Sequence, residues 1–241
     1  IWTIRENNKK QVISSEGVFT AAVIAIPAGI IVSKLLHVID KLGYYIDNPG
    51  RILSGEGLTI WGAVIGATLG IWIYSRLSKQ FSFGKLVDLM APGIILAQAI
   101  GRVGCTLNGC CYGLETDLAC GIVYTHPDSY GPLGIAVLPT QVFEIFYDLI
   151  VFGILFSLRG KLKPDGGLFT VYYALYGLWR FGVEFIREGS PFLFGMHQAQ
   201  VIGIIVLLIT VPIIIMKVRL KKPEEREEAV VQDAHEEDSE E

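Results

Sequence analysis

The grouping of apolar residues into blocks of about twenty residues constrains the fold of this chain more than any other feature. Short charged or Gly/Pro-rich joints separate the blocks. A helix of about 20 apolar residues crosses the hydrocarbon core of a bilayer. Because lipid offers the backbone no hydrogen-bond partners, each block must pair its own N–H and C=O groups. We expect six spanning helices, at residues 17–38, 57–76, 84–107, 139–159, 167–188 and 197–217.

The composition disfavours a soluble globule. The chain has 241 residues, of which 51% are hydrophobic and 18% charged, and its mean hydropathy is +0.48. A typical soluble domain carries about 25% charged residues. The ten-residue alternation of a membrane β-barrel is absent from the sequence. The expected fold class is therefore all-α, a polytopic membrane helix bundle.

Lys and Arg residues in the joints predict the orientation of the spans. Thirteen of them lie in the N-terminal piece, the second and fourth joints and the C-terminal end, against three in the intervening joints. Both visible ends are thus expected in the cytoplasm, and segment 108–138 outside. The first residues, from Ile1, resemble the cytoplasmic end of a spanning helix whose earlier part has been cut away. We therefore expect seven spans in the full protein. The alternative is that this start is an artefact.

Charge divides the chain into two predicted parts. Residues 223–241 hold ten of the 24 acidic residues and one of the 20 basic residues, which leaves residues 1–222 with 19 basic and 14 acidic residues, a net charge of +5. We expect residues 1–222 to form one membrane-embedded domain. Residues 223–241 have too few apolar side chains to offset the entropy of ordering, and we expect an acidic disordered cytoplasmic tail.

Charged residues within the predicted spans point to a functional site, because each costs at least about 2.5–3.5 kcal/mol at the bilayer centre. Arg180, Glu184 and Arg187 are spaced by four and three residues, which places them on one helix face. With Arg102 and Glu144 they give three guanidinium groups against two carboxylates, and this surplus favours an anionic ligand such as a phosphate. The alternative is a structural network of salt bridges. Three other charges are expected to reach an interface: Lys34, Asp88 and Asp148.

The end of the third predicted span is rich in glycine, at positions 101, 104, 109 and 113. Each glycine costs a helix up to about 1 kcal/mol relative to alanine. We interpret them as a place where the helix breaks and its backbone approaches a phosphate. Asn108 adds an amide that can donate and accept hydrogen bonds, and Tyr112 adds a hydroxyl group.

Four cysteines, at positions 105, 110, 111 and 120, lie in and after this segment. Their spacing does not fit the usual patterns of zinc ligands, and we expect no metal site. A disulfide from Cys120 to Cys110 or Cys111 is possible, because the segment is expected to face an oxidising side. The alternative is a set of small reduced thiols. His197 lies near a span end, where we expect it to pack at the interface.

Four sequence elements occur in order along the chain: GLTIWGAVIG at 57–66, GRVGCTLNGCCYG at 101–113, LPTQVFE at 138–144, and RFGVEFIR at 180–187 with Tyr176 upstream. Together they resemble the signatures of the bacterial prolipoprotein diacylglyceryl transferases. The sequence departs from the family pattern at five positions. Trp61 and Leu138 replace two histidines, Cys105 an asparagine, Cys110 a glutamate and Phe143 a tyrosine.

The resemblance implies an enzyme of the bacterial inner membrane that acts on phosphatidylglycerol. It would transfer a diacylglyceryl group to the lipobox cysteine in a prolipoprotein signal peptide and release glycerol phosphate. The implied catalytic residues are Arg102, Tyr176, Arg180 and Glu184. The implied head-group residues are Arg102, Cys105, Asn108, Tyr112, Gly113, Gln141, Glu144 and Arg187. No cofactor, metal or nucleic acid is expected.

The residue that removes the acceptor thiol's proton is not identified by these patterns. Trp61 cannot serve as a base. Glu144 or Glu184 is a candidate, and a cationic pocket that favours the thiolate directly is an alternative. Two other functions stay open, a lipid- or anion-binding transporter and a family relative that has lost or changed its catalysis.

Overall fold

The computed structural model describes residues 15–53, 60–78, 82–187 and 195–221. It forms two compact units, Ile1–Leu86 and Val87–Glu241. The expected remnant of a cut span at the start of the chain and the acidic tail at 223–241 lie outside the described residues, as does the side chain of Trp61.

The first unit is a closely packed pair of long helices with a short connection. Its elements are α1 (Ser15–Asp40), α2 (Leu42–Asp47), a 3-10 helix (Pro49–Leu53) and α3 (Ile60–Ser78). A Cβ atom at Gly66 would collide with the carbonyl oxygen of Ala28 in α1, and one at Gly62 with the backbone of Ser33. The helix backbones approach closely because these two positions have no side chain, which is a common mode of helix association in lipid.

Among its described residues, the second unit contains four long helices and two short pairs of strands. Its elements are α4 (Phe83–Asn108), β1 (Ile122–Val123), β2 (Ala136–Val137), α5 (Thr140–Leu158), β3 (Leu162–Lys163), α6 (Gly167–Val183), a 3-10 helix (Glu184–Ile186), α7 (Gln198–Lys217) and β4 (Arg219–Leu220). Both strand pairs are antiparallel. Ile122 pairs with Val137, and Leu162 pairs with Leu220.

Three helices supply the buried apolar core of the second unit. Each contributes two residues four positions apart, a spacing that puts both on one helix face. These residues are Ala91 and Ile95 in α4, Val151 and Leu155 in α5, and Leu168 and Tyr172 in α6. The core fixes the three helices that carry most of the predicted site residues.

Within the part of the chain that the structure describes, four helices are long and apolar enough to cross a membrane: Phe19–Ile39, Phe83–Asn108, Thr140–Leu158 and Gln198–Lys217. Their large apolar side chains are often exposed, as Leu208 (69%) and Ile215 (77%) are in α7. Such surfaces suit lipid rather than water. The chain is a mostly helical, multi-pass membrane protein. The other two predicted spans fall on α3, of 19 residues, and α6, of 17 residues.

Two local predictions about the helices are wrong. The helix from 167 ends at Val183 and tightens into a 3-10 turn, so it is shorter than the predicted span. Gly101 and Gly104 do not break α4, which continues to Asn108, and a Cβ atom at either position would meet open space. The chain leaves the helix at Gly109, where φ is +70°.

The carboxylate of Asp88 caps the N-terminus of a neighbouring helix. It accepts hydrogen bonds from the backbone N–H groups of Gly166 and Phe169, both at 2.8 Å. The first N–H groups of a helix have no partner within the helix, and a carboxylate there also interacts favourably with the helix dipole. Asp88 therefore joins α4 to the start of α6.

We predict that Asp88→Ala lowers the free energy of unfolding by about 1–3 kcal/mol, because two partly buried backbone donors lose their acceptor. Thermal unfolding of the purified protein in detergent measures the change. Asp165→Ala is the matched control, since this nearby carboxylate is exposed, and surface substitutions usually change stability by less than about 0.5 kcal/mol. Equal melting temperatures for the two variants would contradict the capping role.

Candidate active site

An ion pair joins α4 to α5. Arg102 Nη2 lies 2.9 Å from Glu144 Oε1, and the side chains are 17% and 3% exposed respectively. Gln98 Nε2 donates to the same oxygen at 3.2 Å and to Asp148 Oδ1 at 3.4 Å. Glu144 thus holds Arg102 in place from a buried position.

Asp148 belongs to this polar cluster, and the prediction that it reaches an interface is wrong. Its relative exposure is 0%, and its Oδ2 atom has no hydrogen-bond partner among the described residues. It lies near the middle of α5, one turn beyond Glu144. Gln141, Glu144 and Asp148 are spaced by three and four residues within an apolar helix. This spacing places them on one face and was the sequence pattern that indicated a buried polar face. Counting Asp148, three carboxylates face three guanidinium groups.

A second cluster forms around Glu184. Its Oε1 atom lies 3.1 Å from Arg180 Nη2 and 3.4 Å from Arg187 Nη1. His197 Nδ1 lies 3.3 Å from Oε2. The spacing of the three charged residues predicted their grouping. His197 was expected at an interface instead, and nothing in the local sequence indicated its contact with a residue thirteen positions away.

The backbone around Gly113 brings Arg187 to this cluster. Gly113 pairs with Arg187 in an antiparallel bridge, and Leu114 N donates to Ile186 O at 2.9 Å. A Cβ atom at Gly113 would come within 2.8 Å of the side chains of Leu138 and Thr140 and closer still to the carbonyl oxygen of Ile186. The glycine is therefore required by close backbone packing.

Tyr176 is close enough to both clusters to interact with their charges. It interacts electrostatically with Arg102 and Glu144 of the first cluster and with Arg180 of the second. Its ring stacks on that of Tyr172, with centroids 6.2 Å apart. Charged groups of both clusters therefore lie near the same tyrosine.

Three thiols meet next to the first cluster. The sulfur atoms of Cys105, Cys110 and Cys111 all lie within 4.8 Å of one another, and Arg102 Nη1 lies 3.8 Å from Cys105 Sγ. Burial, followed by hydrogen bonding and charge from the other two thiols, raises the pKa of Cys110 to about 11. The spacing in the sequence did not predict this grouping. All four cysteines are free thiols, and Cys120 is exposed.

The remaining predicted head-group residues lie around this segment. Gln141 is 1% exposed, and its amide donates to the carbonyl oxygen of Cys110 at 2.7 Å. Asn108 is exposed at the end of α4, where its carbonyl oxygen accepts a hydrogen bond from Tyr130 N at 3.1 Å. Tyr112 is half-buried. Gln141 is thus engaged in holding the loop, while Asn108 lies at the accessible end of the site.

A family model for prolipoprotein diacylglyceryl transferase matches residues 1–216. The chain belongs to this family. The phosphatidylglycerol–prolipoprotein diacylglyceryl transferase of Dehalococcoides mccartyi strain 195 is 54% identical over 210 residues, which cover 87% of this chain and 80% of that protein. The proteins of the same name from strain CBDB1 and from Clostridium tetani are 51% and 35% identical, over 87% and 77% of this chain and 80% and 74% of their own lengths.

The comparisons confirm the family predicted from the four sequence elements, and the chain is a transferase. Three of those elements, within 101–113, 138–144 and 176–187, meet in the second unit of this transferase through the contacts above. Of the fourth element, residues 57–59 and the side chain of Trp61 lie outside the described residues.

We predict that Glu184→Gln lowers the free energy of unfolding by about 3 kcal/mol, since two partly buried guanidinium groups lose their counter-charge. Chemical denaturation in detergent measures this loss, with exposed Glu115→Gln as the control. The double variant Arg180→Gln/Glu184→Gln should lose less than the sum of the two single losses, because the residues are in contact. Strictly additive losses would show that the pair is not coupled.

Proposed function

We propose that this transferase moves the diacylglyceryl group of phosphatidylglycerol to the lipobox cysteine of a prolipoprotein and releases glycerol phosphate, with Arg102 and Arg180 holding the donor's phosphate. One observation carries the assignment of these residues. In each cluster a buried carboxylate pairs with an arginine that is more exposed than its partner, and Tyr176 interacts electrostatically with both arginines.

The exposures support an anion site in spite of the balanced charges. The side chains of Glu144 and Glu184 are 3% and 8% exposed, whereas those of Arg102 and Arg180 are 17% and 20% exposed. A guanidinium group carries five N–H donors, and one carboxylate oxygen occupies only part of that set. An approaching phosphate therefore meets N–H donors that are already oriented.

This arrangement suits the chemical step. The acceptor's thiolate sulfur attacks the glycerol carbon that is bonded to a phosphate oxygen. A C–S bond forms, the C–O bond breaks, and the electron pair leaves with the phosphate as glycerol phosphate. Oriented guanidinium groups in a site of low dielectric stabilise the charge that develops on this leaving group.

The other site residues divide into binding and positioning roles. Tyr176 interacts electrostatically with both arginines, and its hydroxyl would donate a hydrogen bond to the phosphate. Glu144 and Glu184 orient the arginines, and Arg187 adds a third donor group beside Glu184. Asn108 and Tyr112 would contact the glycerol head group from the outer end, and Cys105 would border it beside Arg102. Gln141 and Gly113 act by fixing the backbone of the adjoining loop.

The segment after α4 is suited to receive the acceptor peptide. It is folded against itself by β1 and β2, and it exposes large apolar side chains, including Tyr130 (77%) and Leu118 (63%). A signal peptide is apolar in its central region and would bury these side chains. This role requires the segment to lie outside the bacterial inner membrane.

The proposed topology follows from the charge distribution. Six spans, with α3 and α6 as the two beyond the four long apolar helices, would place the C-terminal end in the cytoplasm. Residues 1–222 would be the embedded transferase domain and residues 223–241 a cytoplasmic acidic tail.

We predict that Arg102→Gln and Arg180→Gln each lower kcat/KM for diacylglyceryl transfer by about 10²-fold or more, since each removes charged donors from the leaving group. The measurement uses membranes that contain the protein, phosphatidylglycerol and a lipobox peptide. Arg219→Gln is the control, because this arginine is exposed after α7. Transfer at the wild-type rate by either site variant would refute the assignment.

A parallel measurement separates transfer from the alternatives. Glycerol phosphate release should accompany thioether formation one to one in the wild-type protein. Movement of lipid between leaflets without release would indicate a transporter. Failure of the wild-type chain to restore growth of a host depleted of its own transferase would indicate a relative that has lost or changed its catalysis.

A further inference from the structure

We propose that Cys105, Cys110 and Cys111 bind one zinc ion as thiolates and that its fourth position takes the thiol of the acceptor cysteine. Zinc binding by the three cysteines, the first half of this proposal, does not depend on the activity. Coordination of the acceptor thiol, the second half, rests on the proposed function. It would explain how that thiol loses its proton, for which no base has been identified.

The geometry of the three thiols suits a tetrahedral ion. Zn–S bonds are about 2.3 Å long, which places sulfur atoms about 3.8 Å apart in a tetrahedral site. The three sulfur atoms lie within 4.8 Å of one another, so side-chain adjustments of about 1 Å complete the site. Thiolates select soft or borderline cations, and three protein ligands with one open position are the pattern of catalytic zinc.

Buried side chains on α5 hold the backbone of two of these cysteines. Gln141 Nε2 donates to the carbonyl oxygen of Cys110 and Thr140 Oγ1 donates to that of Cys111, both at 2.7 Å. Gln141 and Thr140 are 1% and 2% exposed. Hydrogen bonds that orient ligands from behind are typical of metal sites.

The backbone at Cys111 is strained, and the strain accompanies the grouping of the thiols. Its φ is +65°, in the left-handed region that residues other than glycine rarely occupy. Such strain persists only where the surroundings impose it, and it is concentrated at functional sites. Cys110 N also donates to Cys105 O at 3.1 Å, which ties the loop back to α4.

The position of the thiols connects the ion to the transfer reaction. Arg102 Nη1 lies 3.8 Å from Cys105 Sγ, so the ion would lie beside the arginine assigned to the donor's phosphate. All three cysteines are half-buried, which leaves an approach for an external ligand. A thiol that coordinates zinc loses its proton outright. The acceptor would thus give its proton to water on binding and attack as a thiolate.

The first test is the zinc content of the full chain, purified in detergent under reducing conditions with zinc present. We expect about one zinc per chain in the wild type and at least a tenfold reduction in Cys105→Ser, Cys110→Ser and Cys111→Ser. Cys120→Ser should keep its zinc, because Cys120 is exposed and outside the group. Thermal unfolding verifies that the variants are folded. A metal-free wild type, or folded variants that retain zinc, would overturn the site. A disulfide between two of these three cysteines that persists under the reducing conditions would also overturn the site.

The second test replaces zinc by Co²⁺ and records the thiolate-to-cobalt absorption. A lipobox peptide should intensify this absorption as a fourth thiolate binds, and the same peptide with serine at the lipobox position should not. No difference between the peptides would overturn the second half of the proposal while leaving the zinc site.

Transfer assays then distinguish this proposal from the proposed function. The triple serine variant should transfer at least about 10²-fold more slowly than the wild type. Transfer by this variant at the wild-type rate would show that zinc takes no part in the reaction, and the proposed function would still stand. A zinc-loaded wild type that binds the peptide but forms no thioether would instead refute the proposed function.

Discussion

Pairing of arginine with buried carboxylates is the interaction on which the site of this transferase depends. A guanidinium group without a counter-charge is costly in a bundle surrounded by lipid, and a carboxylate left alone in the interior is costly too. Glu144 and Glu184 therefore determine where Arg102 and Arg180 lie. Both carboxylates are more deeply buried than their partners, so the positive group is the more accessible member of each pair.

One face of α5 organises most of this arrangement. Thr140 and Gln141 bind the loop that carries two thiols, Glu144 binds Arg102, and Asp148 shares Gln98 with Glu144. Val151 and Leu155 continue the same face into the apolar core. The helix is thus polar in the half that meets the site and apolar in the half that anchors it. A substitution in either half of α5 is expected to change the position of Glu144 and so of Arg102.

The second cluster is positioned differently, by backbone contacts between distant segments. Gly113 allows the chain after α4 to lie directly against Arg187, and His197 reaches Glu184 from the start of α7. Tyr176 then interacts with charged groups of both clusters. The three thiols lie beside Arg102 of the first cluster.

The sequence by itself determined the mostly helical membrane fold, the family and the grouping of Arg180, Glu184 and Arg187, because hydrophobic blocks of membrane length and a helical spacing are local properties. It was less informative about residues whose partners are far along the chain. Asp148 is buried and His197 meets Glu184, and three cysteines with an unpromising spacing converge beside Arg102. Only the tertiary structure decided these contacts, because they depend on which helix faces meet and on how a loop with a left-handed cysteine folds back on α4.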